Sequence, residues 1–153
     1  MSYANDILAK CENAAVAMLQ ASALTLVPTT SVLTGFGDTG VMLPRVVCSC
    51  DRANYAEIYD GNWDAELTVE VRASFSDTTR TEFRAMCAEV FAQFMRSSGD
   101  VETALSNADD PFTVFACYPR QQTRSIEPGA DGDGAEWSVK TSFLVKCCGS
   151  VIS

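Results

Sequence analysis

The sequence predicts an α+β fold: a mainly antiparallel four-stranded sheet with helices packed on one face. Three observations carry that prediction. From Leu67 to Phe75 the apolar residues take every second position (Leu67, Val69, Val71, Ala73, Phe75), with Thr68, Glu70, Arg72 and Ser74 between them. This is a strand with one dry face and one wet face. Immediately after it the period changes, and Phe83, Cys87, Val90 and Phe94 recur at three and four as a helical stripe. Near the end of the chain Trp137, Val139, Thr141, Phe143, Val145 and Cys147 alternate with Ser138, Lys140, Ser142, Leu144 and Lys146, a second long strand. A one-sided strand and a one-sided helix most simply bury their apolar surfaces together.

At 153 residues the chain reads as a single domain, 1–153, long enough for a sizeable core. Ile7, Leu8, Cys11, Ala14, Ala15, Met18 and Leu19 predict an amphipathic helix over 4–26, capped by Asn5 or Ser2. Pro28 opens an extended arm, 27–44, in which Gly35, Gly37 and Gly40 alternate with apolar residues such as Phe36, Val41 and Met42. Its Gly-Phe-Gly-Asp-Thr-Gly run lacks the Lys-Ser/Thr ending of a phosphate loop. The sheet-and-helix core then occupies 45–118 and 137–148. Arg45 to Cys50 is a short strand, 51–59 is ambiguous, and Asp60-Gly61-Asn62 signals a turn. Thr79 and Glu82 form a capping box ahead of a helix over 80–98, and Ser97-Ser98-Gly99 stops it. A short helix follows over 101–106, then a strand over 112–118. The polar, Gly- and Asp-rich stretch 119–136 reads as a long hairpin tip joining that strand antiparallel to 137–147.

Hydrophobic residues make up 47% of the chain and charged ones 20%, too apolar for a disordered polymer. No apolar run is long enough to span a bilayer, and no basic segment precedes an apolar one at the start, so a soluble cytoplasmic chain is expected, with no membrane partner. The formal net charge of −9, with eleven scattered basic residues, argues against a phosphate-gripping surface. Seven cysteines are an odd set for a disulfide framework and read as small apolar fillers in a reducing compartment. Cys48 and Cys50 with Cys147 and Cys148 have the wrong spacing for a zinc site.

Chemistry is hard to place on this chain. It has no histidine, the commonest general base and the usual partner of a Ser or Cys nucleophile. Glu66 and Glu70 fall on the wet face of their strand, where carboxylates are solvated. The Asp-Gly-Asp-Gly run at 131–134 lacks the remaining ligands of a calcium loop. The expectation is therefore no catalytic residue, no cofactor and no metal.

The order of elements resembles the tail terminator family of long-tailed bacteriophages, the minor tail protein U type, and more loosely the related neck and head–tail joining proteins. The features that carry the resemblance are the N-terminal helix, the strand 65–75 with its Ser76-Asp77-Thr78-Thr79 turn, and the helix 80–98. The short helix 101–106, strand 112–118, acidic hairpin 119–136 and closing strand 137–147 continue it. The likeness covers most of the chain as a pattern without a diagnostic motif, and the arm 27–44 departs from it. It implies a non-enzymatic virion protein assembled in the host bacterial cytoplasm: a ring, usually a hexamer, that caps the tail tube and stops its polymerisation. The ring would meet the tail tube protein on one side and head-completion or connector proteins on the other, with DNA passing through its lumen without specific binding. The expected ring contacts are Phe36, Val41 and Met42 of the arm and Arg120, Arg124, Glu127, Asp131 and Asp133 of the hairpin. A different connector, a stopper, a tail-tube subunit, an unrelated dimeric accessory protein and a small cytosolic enzyme using carboxylates are the alternatives.

Overall fold

The computed structural model describes residues 6–35, 43–57, 62–95, 100–106, 112–128 and 134–148. Its elements are α1 (Ile7–Ala21), β1 (Val32–Thr34), β2 (Arg45–Glu57), β3 (Asn62–Ser74), α2 (Arg80–Ala92), α3 (Asp100–Ser106), β4 (Thr113–Pro128) and β5 (Ala135–Cys148). They form an α+β fold around one five-stranded sheet of order β1-β2-β3-β5-β4. The expected four antiparallel strands are present, and a fifth joins them: β1 lies parallel to β2 through Val32 opposite Val46 and Thr34 opposite Cys48. The sheet is thus mixed. The first part of the expected arm is therefore bound to its own chain, with Val27, Ser31 and Val32 buried. Gly35 closes this strand against β2, where a Cβ would come within 2.9 Å of the Ser49 Cβ.

Pairing parity sets the strand directions. β2, β3, β5 and β4 are antiparallel in succession, so β2 and β5 run one way and β3 and β4 the other. Residues directly opposite in such ladders share a face. Cys50, Leu67 and Phe143 make one such row and Val46, Val71 and Val139 another, all buried. The three helices lie over this face. Cys11 of α1 hydrogen-bonds Cys50, Phe94 just beyond α2 stacks on Phe143 at 4.9 Å and Phe83 on Trp137 at 5.8 Å, and Glu102 of α3 stands near Cys117.

Local signals bound the helices differently from expectation in three places, one of them the end of α2 at Ala92 rather than 98. Asp6, not Asn5 or Ser2, caps α1, its side chain accepting from the Ala9 N–H at 3.0 Å. The helix stops at Ala21 rather than 26, where the Ser22 hydroxyl turns back to the Met18 carbonyl and Ala23 takes a positive φ. At α2 the capping box is present as read: Thr79 accepts from the Glu82 N–H and Glu82 from the Thr79 N–H, both at 3.1 Å. Thr79→Ala is expected to cost about 1 kcal/mol of stability, measured as a shift in urea midpoint at constant slope.

The largest correction concerns the hairpin. The tip expected over 119–136 is for the most part paired strand: β4 and β5 stay in register out to Ser125 opposite Ser138 and Pro128 opposite Ala135. A polar sequence made this stretch look like loop, yet a strand needs only backbone pairing. Bulges between Val114 and Ala116 and between Pro119 and Gln121 take up the irregularity. Pro119 is tolerated because it sits at a bulge on the sheet's edge. Gly134, at φ 120°, turns the chain back into β5. Likewise β2 and β3 extend past their expected ends, joined across by the Tyr55 and Trp63 rings at 4.6 Å.

Candidate pairing edges and the open face of the sheet

The face away from the helices carries the charged residues. Glu66 is exposed as expected and meets Arg52 at 3.5 Å. Glu70, expected to be solvated, is instead drawn into a half-buried cluster. Its carboxylate accepts from the Ser138 hydroxyl at 2.5 Å and lies 3.8 Å from Arg72. Arg72 Nε in turn meets Glu136 at 2.8 Å, and Arg45 reaches the same carboxylate oxygen at 3.4 Å. This network ties β2, β3 and β5 together across the sheet. Its carboxylates are answered by guanidinium or hydroxyl groups, which makes it a structural lock rather than an acid–base pair.

A groove of about 450 Å³ is lined by Asn54, Asp64, Glu66, Arg120, Gln121 and Leu144 among others. Asp64 is engaged by Lys146 at 3.4 Å and Glu66 by Arg52. Several thiols are shifted by their surroundings. Burial pushes Cys48, Cys117 and Cys147 up to about 12 and Cys87 to about 11. The Cys50 thiol beside it, then burial, holds Cys11 well above the ordinary thiol value. Reactivity and metal binding require the thiolate, and these groups stay protonated at neutral pH. Among the described residues no group of three or more Cys, Asp or Glu side chains is arranged to hold a metal ion, and no helix is long and apolar enough to cross a membrane.

Among the described residues, the fold leaves two edges open. On one side β1 covers Val46 to Cys48, and the Glu12 carboxylate accepts the Cys50 N–H at 2.8 Å. From Asp51 to Glu57, β2 pairs with β3 alone among the described strands. On the other side Ser106 of α3 accepts the Val114 N–H at 2.8 Å. Beyond that cap β4 pairs with β5 alone among the described strands, and every side chain from Tyr118 to Ile126 is exposed. Long open edges are templates for another strand.

The expected contact residues distribute unevenly over this geometry. Arg120, Arg124 and Glu127 all lie on β4. Arg120 lines the groove, whereas Arg124 stands opposite Val139, on the helix side, near Cys87. Glu127 accepts from the Ser125 hydroxyl at 2.7 Å. Phe36, Val41, Met42, Asp131 and Asp133 lie outside the described residues. Sequence reasoning missed the β2 edge, where Tyr55 is 51% exposed.

The Glu12 cap adds a pH dependence. Burial raises its carboxyl, with the Cys50 N–H pulling the other way. A raised acid holds its proton more tightly folded than unfolded, so its contribution is greatest below the ordinary value of 4.5 and is lost as pH rises through the folded value. Glu12→Gln is expected to flatten the melting temperature over that window, read by thermal denaturation across a pH series.

No family model matches the chain, and no curated protein matches it in sequence.

Proposed function

We propose that this chain is a non-enzymatic virion protein of the tail terminator kind. It closes into a ring at the head-proximal end of a phage tail tube, stops tube polymerisation and offers a surface to head-completion proteins. The observation that carries this reading is the pair of unlike edges that β2 and β4 leave unpaired among the described residues of one sheet. Two different patches that fit each other give head-to-tail contacts, and head-to-tail contacts make rings when the rotation closes and filaments when it does not. The absence of histidine, the paired carboxylates and the protonated thiols leave the surface with shape to offer rather than chemistry. The charge of −9 suits a passage along which DNA slides.

The mass of the purified chain in solution, read together with negative-stain images, tests the proposal. Closed rings of uniform diameter that cap tubes of the tail tube protein are the expected result. Long filaments of the chain alone would make it a tube subunit instead. Chains that stay solitary at high concentration would overturn it, and a predominantly basic lumen would overturn the sliding role.

A further inference from the structure

Resting on the ring reading above, we propose that neighbouring copies join by strand addition: the open stretch of β4 in one copy, from Ala116 to Glu127, pairs antiparallel with Asp51 to Glu57 of β2 in the next. The occupant of each edge is a second copy of this chain.

Three observations support it. The first is direction. β4 runs opposite to β2 within one copy. When copies repeat by rotation about an axis along the strands, the β4 of one therefore meets the β2 of the next antiparallel. Main-chain pairing of this kind supplies affinity, and the side chains supply selectivity.

The second is charge. Arg120 and Arg124 both project from the β4 stretch, and neither forms a salt bridge to a described residue, in a chain with twenty acidic and eleven basic groups. The β2 stretch carries exposed Asp51, while its own Arg52 is already occupied by Glu66. With Glu127 the β4 stretch carries one net positive charge, and with Asp51, Arg52 and Glu57 the β2 stretch carries one net negative charge, so the unlike edges attract and β4 on β4 is opposed. Tyr118 and Ile126 on one edge and Tyr55 on the other are each about half exposed and add apolar area to the seam.

The third is the caps. Glu12 and Ser106 take main-chain N–H groups at Cys50 and Val114, and β1 covers Val46 to Cys48, so both edges are blocked at one end and free at the other. Such plugs keep an edge from pairing everywhere, and they restrict the seam to one stretch of each strand. The free stretches lie largely on opposite sides of the row that joins Cys50, Leu67, Phe143 and Pro119. They meet only when the strands lean from the ring axis, as strands in closed sheets do by about 35–45°.

Charge reversal and amide exchange on the full chain test this. R120E with R124E, and separately D51K, are expected to fold with unchanged circular dichroism and to associate several-fold more weakly, by light scattering over a dilution series. All three changes in one chain should restore association. In the assembled wild type, main-chain amides of 51–57 and 120–127 should exchange more slowly than in diluted chains. Wild-type rings whose assembly survives every reversal, with those amides exchanging freely, would overturn the strand seam and leave the ring reading standing. A wild type that never associates would overturn both.

Discussion

Phe143→Ala is expected to lower the stability of the chain by about 3–5 kcal/mol, a large part of the margin of an ordinary domain. Phe143 is fully buried in β5, paired with Leu67 of β3 on one side and Pro119 of β4 on the other. Its ring stacks on Phe94 at 4.9 Å, so it also fixes the segment just beyond α2 to the middle of the sheet. Truncation removes contacts with strands and helix together, and a backbone paired on both sides cannot collapse into the space left. In thermal denaturation the expected drop is about 10 °C. Phe115→Ala, at a side chain 45% exposed, should move the transition much less.

Glu136→Ala should be comparably damaging for a different reason. Among the described residues Glu136 is the carboxylate that meets both Arg45 and Arg72, with its own side chain and that of Arg45 each under 10% exposed. Removing it leaves two buried guanidinium groups with Glu70 as the remaining acid of the cluster. Breaking a buried pair from one side costs about 3–5 kcal/mol, whereas replacing both partners by apolar residues of similar volume is often neutral. Glu136→Leu combined with Arg45→Leu and Arg72→Leu is therefore expected to recover much of what Glu136→Ala loses. Urea unfolding of the single and the combined variant measures both statements, and a single change that unfolds at the wild-type midpoint would show that the cluster does not hold the sheet.

Where the sequence was readable, an apolar side chain or a cap marked the place. The alternation from Leu67 to Ala73 and the Thr79–Glu82 box are found as read, because each is a local pattern with one good structural solution. The second half of β4 had no such mark. Gln121 to Ser125 are polar throughout, and what holds them extended is the ladder to β5, a partner that lies beyond any local window. β1 is too short to show a period, and its place beside β2 comes from tertiary packing of Val32. The charged lock was equally hidden: Arg45, Glu70, Arg72, Glu136 and Ser138 belong to three strands and meet through register alone. As for the proposed seam, Arg120, Arg124 and Glu127 were within reach of the sequence because they lie beside Pro and Gly in a polar stretch, whereas its β2 half was not. Asp51 to Tyr55 shows neither clean alternation nor a helical stripe.

The strand order has a consequence for biosynthesis. β5 is the last of the described strands to leave the ribosome, yet it sits between β3 and β4. Until it emerges, β4 has no neighbour to zip onto and Leu67, Val69 and Val71 lack one flank of their cover. The nascent polypeptide must therefore wait with sticky half-sheets exposed, and chains cut short before Ala135 are expected to be captured by chaperones or to clump.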